Sequence, residues 1–438
     1  MTRVAVVGAG SAGLAAAQAL AARGLDVVLF EAGSGLGGNW RYGNDSGFSS
    51  GYQSLRANTS RQHTAFRCFA IGASRSLFLE HSEMLGYLER FADHFDLRRR
   101  IRFRTRVTSA RPVDEGWEVT ANGASERFSA LIVATGYNSI PRYPDLPGEF
   151  RGIQMHTHDY RTPAPFAGRD VVVIGLGCSG AELACEIQTV ARTVAIAARS
   201  GSWISPRRVG RIPVDWFDTR IGSRVPIELR RRAFVPLFRV AAGPLRGTGL
   251  PAPDHRLGDK PITISDELLP LLRKGRIVAC AAVTELRGDR VGLADGGERE
   301  CDALLYGTGY RTAFDFLPAQ ADAPTNEHAP LYRGVLSLAQ PGLFYVGICF
   351  GHGALLPLME AQGNWAADVL AGRLALPSPE SMRRSVELDA AFRAKNFDPR
   401  FGFIWDRLPY CRALESESSE ARRRPGQPAS GAAGPTVH

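Results

Sequence analysis

The chain has 438 residues, 44% apolar and 22% charged, with 53 basic against 44 acidic side chains and a net charge of +9. That mixture excludes collagen-like, coiled-coil and largely disordered chains and allows two or three domains around a large core. Seven cysteines, none spaced C-x-x-C, exclude a disulfide scaffold, a zinc ribbon and a dithiol redox centre, and no metal site is expected.

The first element is an apolar strand, Val4–Val7. It runs into Gly8-Ala9-Gly10-Ser11-Ala12-Gly13, an Ala-rich helix from Leu14 to Arg23, and a second strand, Asp26–Phe30, that ends at Glu31. The start MTRVAVVGAG lacks a secretory pattern, so a cytoplasmic protein is expected. The glycines have separate tasks: a tight turn, close approach of a pyrophosphate to the backbone, and close packing of helix on sheet. The helix N-terminus offers unpaired N–H groups to phosphate. Glu31, 21 residues after Gly10, stands where a carboxylate accepts hydrogen bonds from a ribose diol. Together they predict a bound dinucleotide touching Gly8, Gly10, Ser11, Ala12, Gly13 and Glu31.

Further along, the strand Leu131–Val133 ends in Ala134-Thr135-Gly136-Tyr137, and a Pro-rich stretch follows, Pro141–Pro147. The glycine turn then recurs. Val171–Ile174 reads as a strand, Gly175-Leu176-Gly177-Cys178-Ser179-Gly180 as the turn, Ala181 to Val190 as a helix and Thr193–Ala198 as a strand. Its end carries Arg199-Ser200 and no acid. An acid there would repel a 2′-phosphate and an Arg pairs with it, so this turn predicts NADPH over NADH. Expected contacts are Gly175, Gly177, Ser179, Gly180, Ala181, Glu182, Arg199 and Ser200. Two nucleotide units in one chain predict FAD at the first and NADPH at the second, because a hydride needs an acceptor.

A second Thr-Gly-Tyr strand end, Tyr306-Gly307-Thr308-Gly309-Tyr310, matches Thr135-Gly136-Tyr137. The pair reads as the points where the chain leaves the flavin domain and returns. The expected fold is therefore α/β, two Rossmann-like dinucleotide-binding domains. Residues 1–140 and 310–411 form a discontinuous FAD domain, 141–309 an inserted NADPH domain, and the small, polar residues 412–438 a disordered tail. Positive charge is almost all Arg in short runs, which predicts a solvated basic surface and no nucleic-acid partner. Gly342–Met359 is interrupted by His352 and Pro357 and reads as core, not a membrane span. Arg220–Arg239, basic with apolar residues at helical spacing, reads as a solvated helix of the second domain.

Between the two turns lies Phe150-x-Gly152-x-x-x-His156-x-x-x-Tyr160. Here the sequence resembles the flavin-containing monooxygenases, class B flavoprotein monooxygenases, over about residues 1–375. All four positions match the family fingerprint. Baeyer–Villiger relatives usually carry Trp at the last, so Tyr160 points to the heteroatom-oxidising branch. Gly37-Gly38-Asn39-Trp40, Ser54–Thr59, Phe103-x-Thr105-x-Val107, Arg199–Trp203 and Phe344 to Gln362 carry the resemblance further. It implies an N,N-dimethylaniline monooxygenase-like enzyme. Such an enzyme uses FAD and NADPH to insert one oxygen atom from dioxygen into a nucleophilic nitrogen or sulfur through a flavin hydroperoxide. It also places Asn39, Trp40, Asn58, Thr59, Val107, Thr135, Gly136, His156, Tyr160 and Gln362 among the cofactor contacts. Asn58 is the expected catalytic residue, a neutral amide that both donates and accepts. A Baeyer–Villiger oxygenase on ketones and an NADPH-dependent flavin reductase or oxidase stay open. Partners expected are a small-molecule substrate and dioxygen, with a homodimer left open. The segment Arg61–Arg75 departs from the animal members, so no substrate carries over.

Overall fold

The apolar run Arg3–Val7 forms strand β1, buried from Val4 onward, and opens one of two units into which this computed structural model divides. The structure describes residues 2–72, 76–217, 224–351 and 353–423. One unit takes in the chain up to Gly51, Leu55–Ser139 and Thr312 onward; the other takes in Tyr52–Ser54 and Ile140–Arg311.

In the first unit β1 leads through the glycine turn to α1 (Ser11–Ala21) and β2 (Asp26–Phe30). Then come α2 (His81–His94), β3 (Ile101–Arg102) and an antiparallel layer, β4 (Val107–Val113), β5 (Gly116–Ala121) and β6 (Ala124–Phe128). β7 (Ala130–Val133) returns to the main sheet beside β1. The second unit contains β8 (Ile153–His156), β9 (Asp170–Ile174), α3 (Cys178–Ile187), β10 (Thr193–Ala197), α4 (Ile227–Ala242), β11 (Val278–Cys280) and β12 (Ala303–Tyr306). The first unit resumes with β13 (Leu331–Tyr332), β14 (Leu336–Ser337), β15 (Leu343–Tyr345), α5 (Leu356–Leu370), α6 (Pro379–Asn396) and α7 (Arg407–Arg423).

The main sheet of the first unit has the order β13-β14-β15-β7-β1-β2-β3, and that of the second β8-β12-β9-β10-β11. Strands buried on both faces read as unbroken apolar runs. In β1, Val4 and Val6 join the core with Leu14, Leu88 and Trp365, while Ala5 and Val7 join Phe30, Trp117 and Leu131 on the other side. The fold is α/β with two Rossmann-like units.

The two units repeat each other strand for strand. β1 pairs in parallel with β2 and β7; β9 pairs in parallel with β10 and β12. The second Thr-Gly-Tyr strand, β12, is the counterpart of β7 inside the second unit, and the chain returns to the first unit just past it, at Thr312, close to the expected boundary after residue 309. One correction concerns the carboxyl end. Residues 412–423, expected to be disordered, continue helix α7, with Cys411, Leu414 and Ser418 buried; residues 424–438 lie outside the described residues. Arg220–Arg239 overlaps most of α4, which is helical through Pro236, exposes Leu229 and Val240, and lies in the second unit; residues 220–223 lie outside the described residues.

Candidate functional site

Both helices after the glycine turns start three residues earlier than the sequence suggests, at Ser11 and Cys178. Gly10 and Gly177 occupy their N-cap positions, and neither cap supplies a side-chain acceptor. The first-turn N–H groups, including those of Ser11, Ala12, Ser179 and Gly180, are thus left for an anion. Glycine is required for this packing. A Cβ on Gly13 would stand 1.8 Å from Gly8 O, and one on Gly180 2.2 Å from Gly175 O. Gly8 and Gly175 both have strongly positive φ, at 104° and 115°. Ala181 is fully buried behind the second turn.

Glu31 is buried at the end of β2. Its Oε2 accepts from the Ala9 N–H and its Oε1 from the Gly33 N–H, each at 2.8 Å. Burial raises its pKa, against the pull of those two N–H groups and of Arg41. A carboxylate has about four lone pairs, so two remain for a ribose diol. Gly37 N–H donates to Ala9 O at 3.0 Å, which lays the Gly37-Gly38-Asn39-Trp40 segment on the turn. Asn39 Oδ1 accepts from Ser50 N–H, and Trp40 packs half-buried on the core.

Asn58 is held by its neighbours: Ala57 N–H donates to Leu79 O, and Thr59 Oγ1 lies 2.7 Å from Thr64 Oγ1. Its own Oδ1 is buried with no hydrogen-bond partner among the described residues. A buried orphan acceptor is costly unless a ligand satisfies it. That orphan, with the two glycine cradles, fits a chain that holds dinucleotides.

Thr135 is exposed past β7 and lies beside the first turn, its Cα 3.4 Å from where a Cβ on Gly8 would stand, and Gly136 has φ of 75°. Val107 is a core residue, packed with Val28, Phe30 and Trp117. Gln362 is fully buried on α5, with its amide committed inside the protein: Oε1 accepts from Gly347 N–H at 2.9 Å, and Nε2 donates to Tyr410 Oη at 2.9 Å. Both ends of its amide are thus engaged within the first unit.

In the second unit Arg199 lies two residues past β10, exposed, with no ion-pair partner among the described residues. Ser200 beside it is half-buried. Ala198 is the residue that follows β10, as Glu31 follows β2, so the carboxylate of the first unit is absent here. Glu182, expected at the cofactor, is engaged by the protein. Tyr52 O–H donates to it at 2.6 Å and Arg207 Nη2 at 2.7 Å. His156 and Tyr160 are both fully buried. His156 accepts from His158 N–H at 3.0 Å and is edged by Tyr143 and Tyr310. Burial pushes its pKa down to about 4, so it is neutral at physiological pH, and burial raises that of Tyr160. Both side chains are enclosed and do not reach an open surface. His352, not given a catalytic role, lies outside the described residues.

Sequence reasoning missed Arg207, which also pairs with Asp266, and Thr263, whose hydroxyl donates to Leu176 O in the second turn at 2.6 Å. Arg207 meets Asp266 across 59 residues and Thr263 meets Leu176 across 87, and no local spacing signals such a pairing.

This geometry defines a protein with two dinucleotide turns, one beside a buried carboxylate and one beside a guanidinium that makes no ion pair among the described residues. Residues 1–398 match the flavin-binding monooxygenase-like family, and the chain belongs to it. It is a flavin monooxygenase. It is 30% identical over 408 residues to dimethylaniline monooxygenase [N-oxide-forming] 2 of Mus musculus, covering 88% of this chain and 76% of the relative. The structure of S-allyl-L-cysteine S-oxygenase from Allium sativum superposes with a TM-score of 0.71 at 26% identity, over 95% of this chain and 88% of that one. Closed cyclohexanone monooxygenase superposes with a TM-score of 0.72 at 22% identity, over 97% and 98%, a likeness of fold alone. No helix among the described residues is long and apolar enough to cross a membrane.

Proposed function

We propose that the first unit binds FAD and the second, residues 140–311, binds NADPH, and that the enzyme inserts one oxygen atom of dioxygen into a nucleophilic nitrogen or sulfur of a small molecule. The observation that carries this reading is the contrast past the two matching strands. Glu31 offers a buried carboxylate suited to a ribose diol, and Arg199 an exposed guanidinium, without an ion pair among the described residues, suited to a 2′-phosphate. When bound, the flavin accepts electrons from the nicotinamide and activates dioxygen.

The protein's own groups bind, orient and exclude water. The N–H groups opening α1 and α3 hold the pyrophosphates. Asn58 Oδ1 presents a buried acceptor that carries no titratable proton, so it orients the reacting centre without quenching it. His156, neutral and enclosed, brings no proton either. Asn58→Ala is expected to raise hydrogen peroxide released per NADPH oxidised; full coupling in that variant would remove its role.

The heteroatom preference is supported by Tyr160 in the fingerprint and by the named activities of the mouse and garlic relatives. The experiment is product analysis of purified enzyme with NADPH, air and three probes: methyl phenyl sulfide, N,N-dimethylaniline and cyclohexanone. Sulfoxide or N-oxide is expected. Lactone as the main product would move the enzyme to the Baeyer–Villiger reaction. Peroxide with none of the three would leave an NADPH oxidase.

A further inference from the structure

The amide of Gln362 joins three parts of the first unit that are far apart in sequence. Its Oε1 accepts from Gly347 N–H at 2.9 Å. Its Nε2 donates to Tyr410 Oη at 2.9 Å and to Gly334 O at 3.4 Å. Tyr410 is itself fully buried and passes its own hydrogen to Arg333 O at 2.7 Å. Each member of the chain is committed to one direction. A phenol has one hydrogen, and because Tyr410 gives it to Arg333 O, its oxygen can only accept from Gln362. That fixes the amide orientation, so that Oε1 and not Nε2 faces the Gly347 N–H.

Gly347 is where this chain meets the dinucleotide turn. Its φ is 79°, and a Cβ on it would stand 2.5 Å from Ala12 Cβ. Ala12 is the second residue of α1, at the helix end whose free N–H groups hold the anion. The turn after β15 thus backs directly onto the N-terminus of α1, with Gln362 fixing its depth.

The far end is anchored as firmly. Helix α7 carries Tyr410 and also Glu417. The latter pairs with the fully buried Arg333 at 2.5 Å and accepts from Trp365 Nε1 at 2.8 Å. Arg333 has a φ of 54°, a left-handed conformation that an arginine keeps only when its surroundings demand it. The Arg333 turn is therefore gripped from α7 twice, at its carbonyl and at its guanidinium.

We infer that Tyr410 and Gln362 are positioning residues for the flavin: helix α7, through Tyr410, Gln362 and Gly347, sets the place of the α1 N-terminus against the flavin pyrophosphate. This rests on the reading that the first glycine turn is the flavin site.

The test is the flavin dissociation constant of the full-length apoprotein, titrated by quenching of flavin fluorescence, beside its melting temperature without flavin and its affinity for NADP+. Tyr410→Phe keeps the ring and deletes only the hydroxyl. It is expected to weaken flavin binding about tenfold, the scale of one buried amide left unpaired, with NADP+ affinity unchanged. Gln362→Met, close in volume, is expected to do the same or more, and stands in where Tyr410→Phe does not fold. Unchanged flavin affinity with a lowered apoprotein melting temperature in both variants would overturn the inference, leaving the relay a purely structural one. Equal losses of flavin and NADP+ affinity would also overturn it, because the effect would then be global. Glu31→Ala separates the underlying reading: if it leaves flavin binding intact, the first turn is not the flavin site, and the inference falls with that reading rather than on its own terms.

Discussion

Arg199 and Glu31 follow the same strand of the two repeats and carry opposite charges. Arg199 makes no ion pair within the described protein, so its removal disturbs no internal contact. Arg199→Ala should raise the Michaelis constant for NADPH roughly 10- to 150-fold, the value of one charge-assisted hydrogen bond, and leave that for NADH nearly unchanged. Steady-state kinetics with both coenzymes checks this, and equal effects on both would remove Arg199 from the phosphate site. His156 makes a prediction of a different kind. The unfolded chain's imidazole takes up a proton near pH 6.5, while burial holds the folded one to about 4. Between those values the unfolded state binds more protons, so stability falls as pH drops through that window. His156→Gln should flatten melting temperature against pH between about 6.5 and 4 relative to the parent; curves that stay parallel would place the acid lability elsewhere.

Helix α7 shows where element-level reading of the sequence stops. The stretch Ala413–Glu420, ALESESSE, has no apolar periodicity, and its buried positions are filled by small residues and one leucine. Its main inward anchor is a carboxylate, Glu417, paired with Arg333 and Trp365 on distant elements. A paired buried charge leaves no hydrophobic pattern, so polarity alone suggested disorder. The glycine-turn helices were legible for the opposite reason: their packing is set by residues within six positions of one another. Leu414, fully buried among the core of α1 and α5, provides the test. Leu414→Ala should cost about 2–5 kcal/mol by cavity formation, read as a shift in the denaturation midpoint. A disordered segment would show no change.

At the scale of the whole molecule the chain uses one βαβ plan twice, and what could be read ahead of the structure was what the plan fixes locally: both turns, Glu31, Arg199 and the α/β class. What could not be read is which polar groups are engaged internally, since Gln362 and Glu182 are held by partners far along the chain, Tyr410 and Tyr52. The same plan allows the two nucleotides to be separated experimentally. The middle glycine of each turn, unlike its neighbours, is not required by the protein. A Cβ on Gly177 would find nothing within 4 Å, and one on Gly10 would come no closer than 3.6 Å, to Gly38. Both have φ near −78°, where alanine is unstrained. As N-cap positions they should lose under about 1 kcal/mol on substitution by alanine. The added methyl would point only into the space a pyrophosphate must enter. Gly10→Ala should therefore fold normally, lose its yellow colour and keep NADP+ binding by calorimetry. Gly177→Ala should stay yellow and lose NADP+ binding. If either substitution weakened both ligands alike, the two turns would not be independent nucleotide sites, and the assignment of one coenzyme to each repeat would fail.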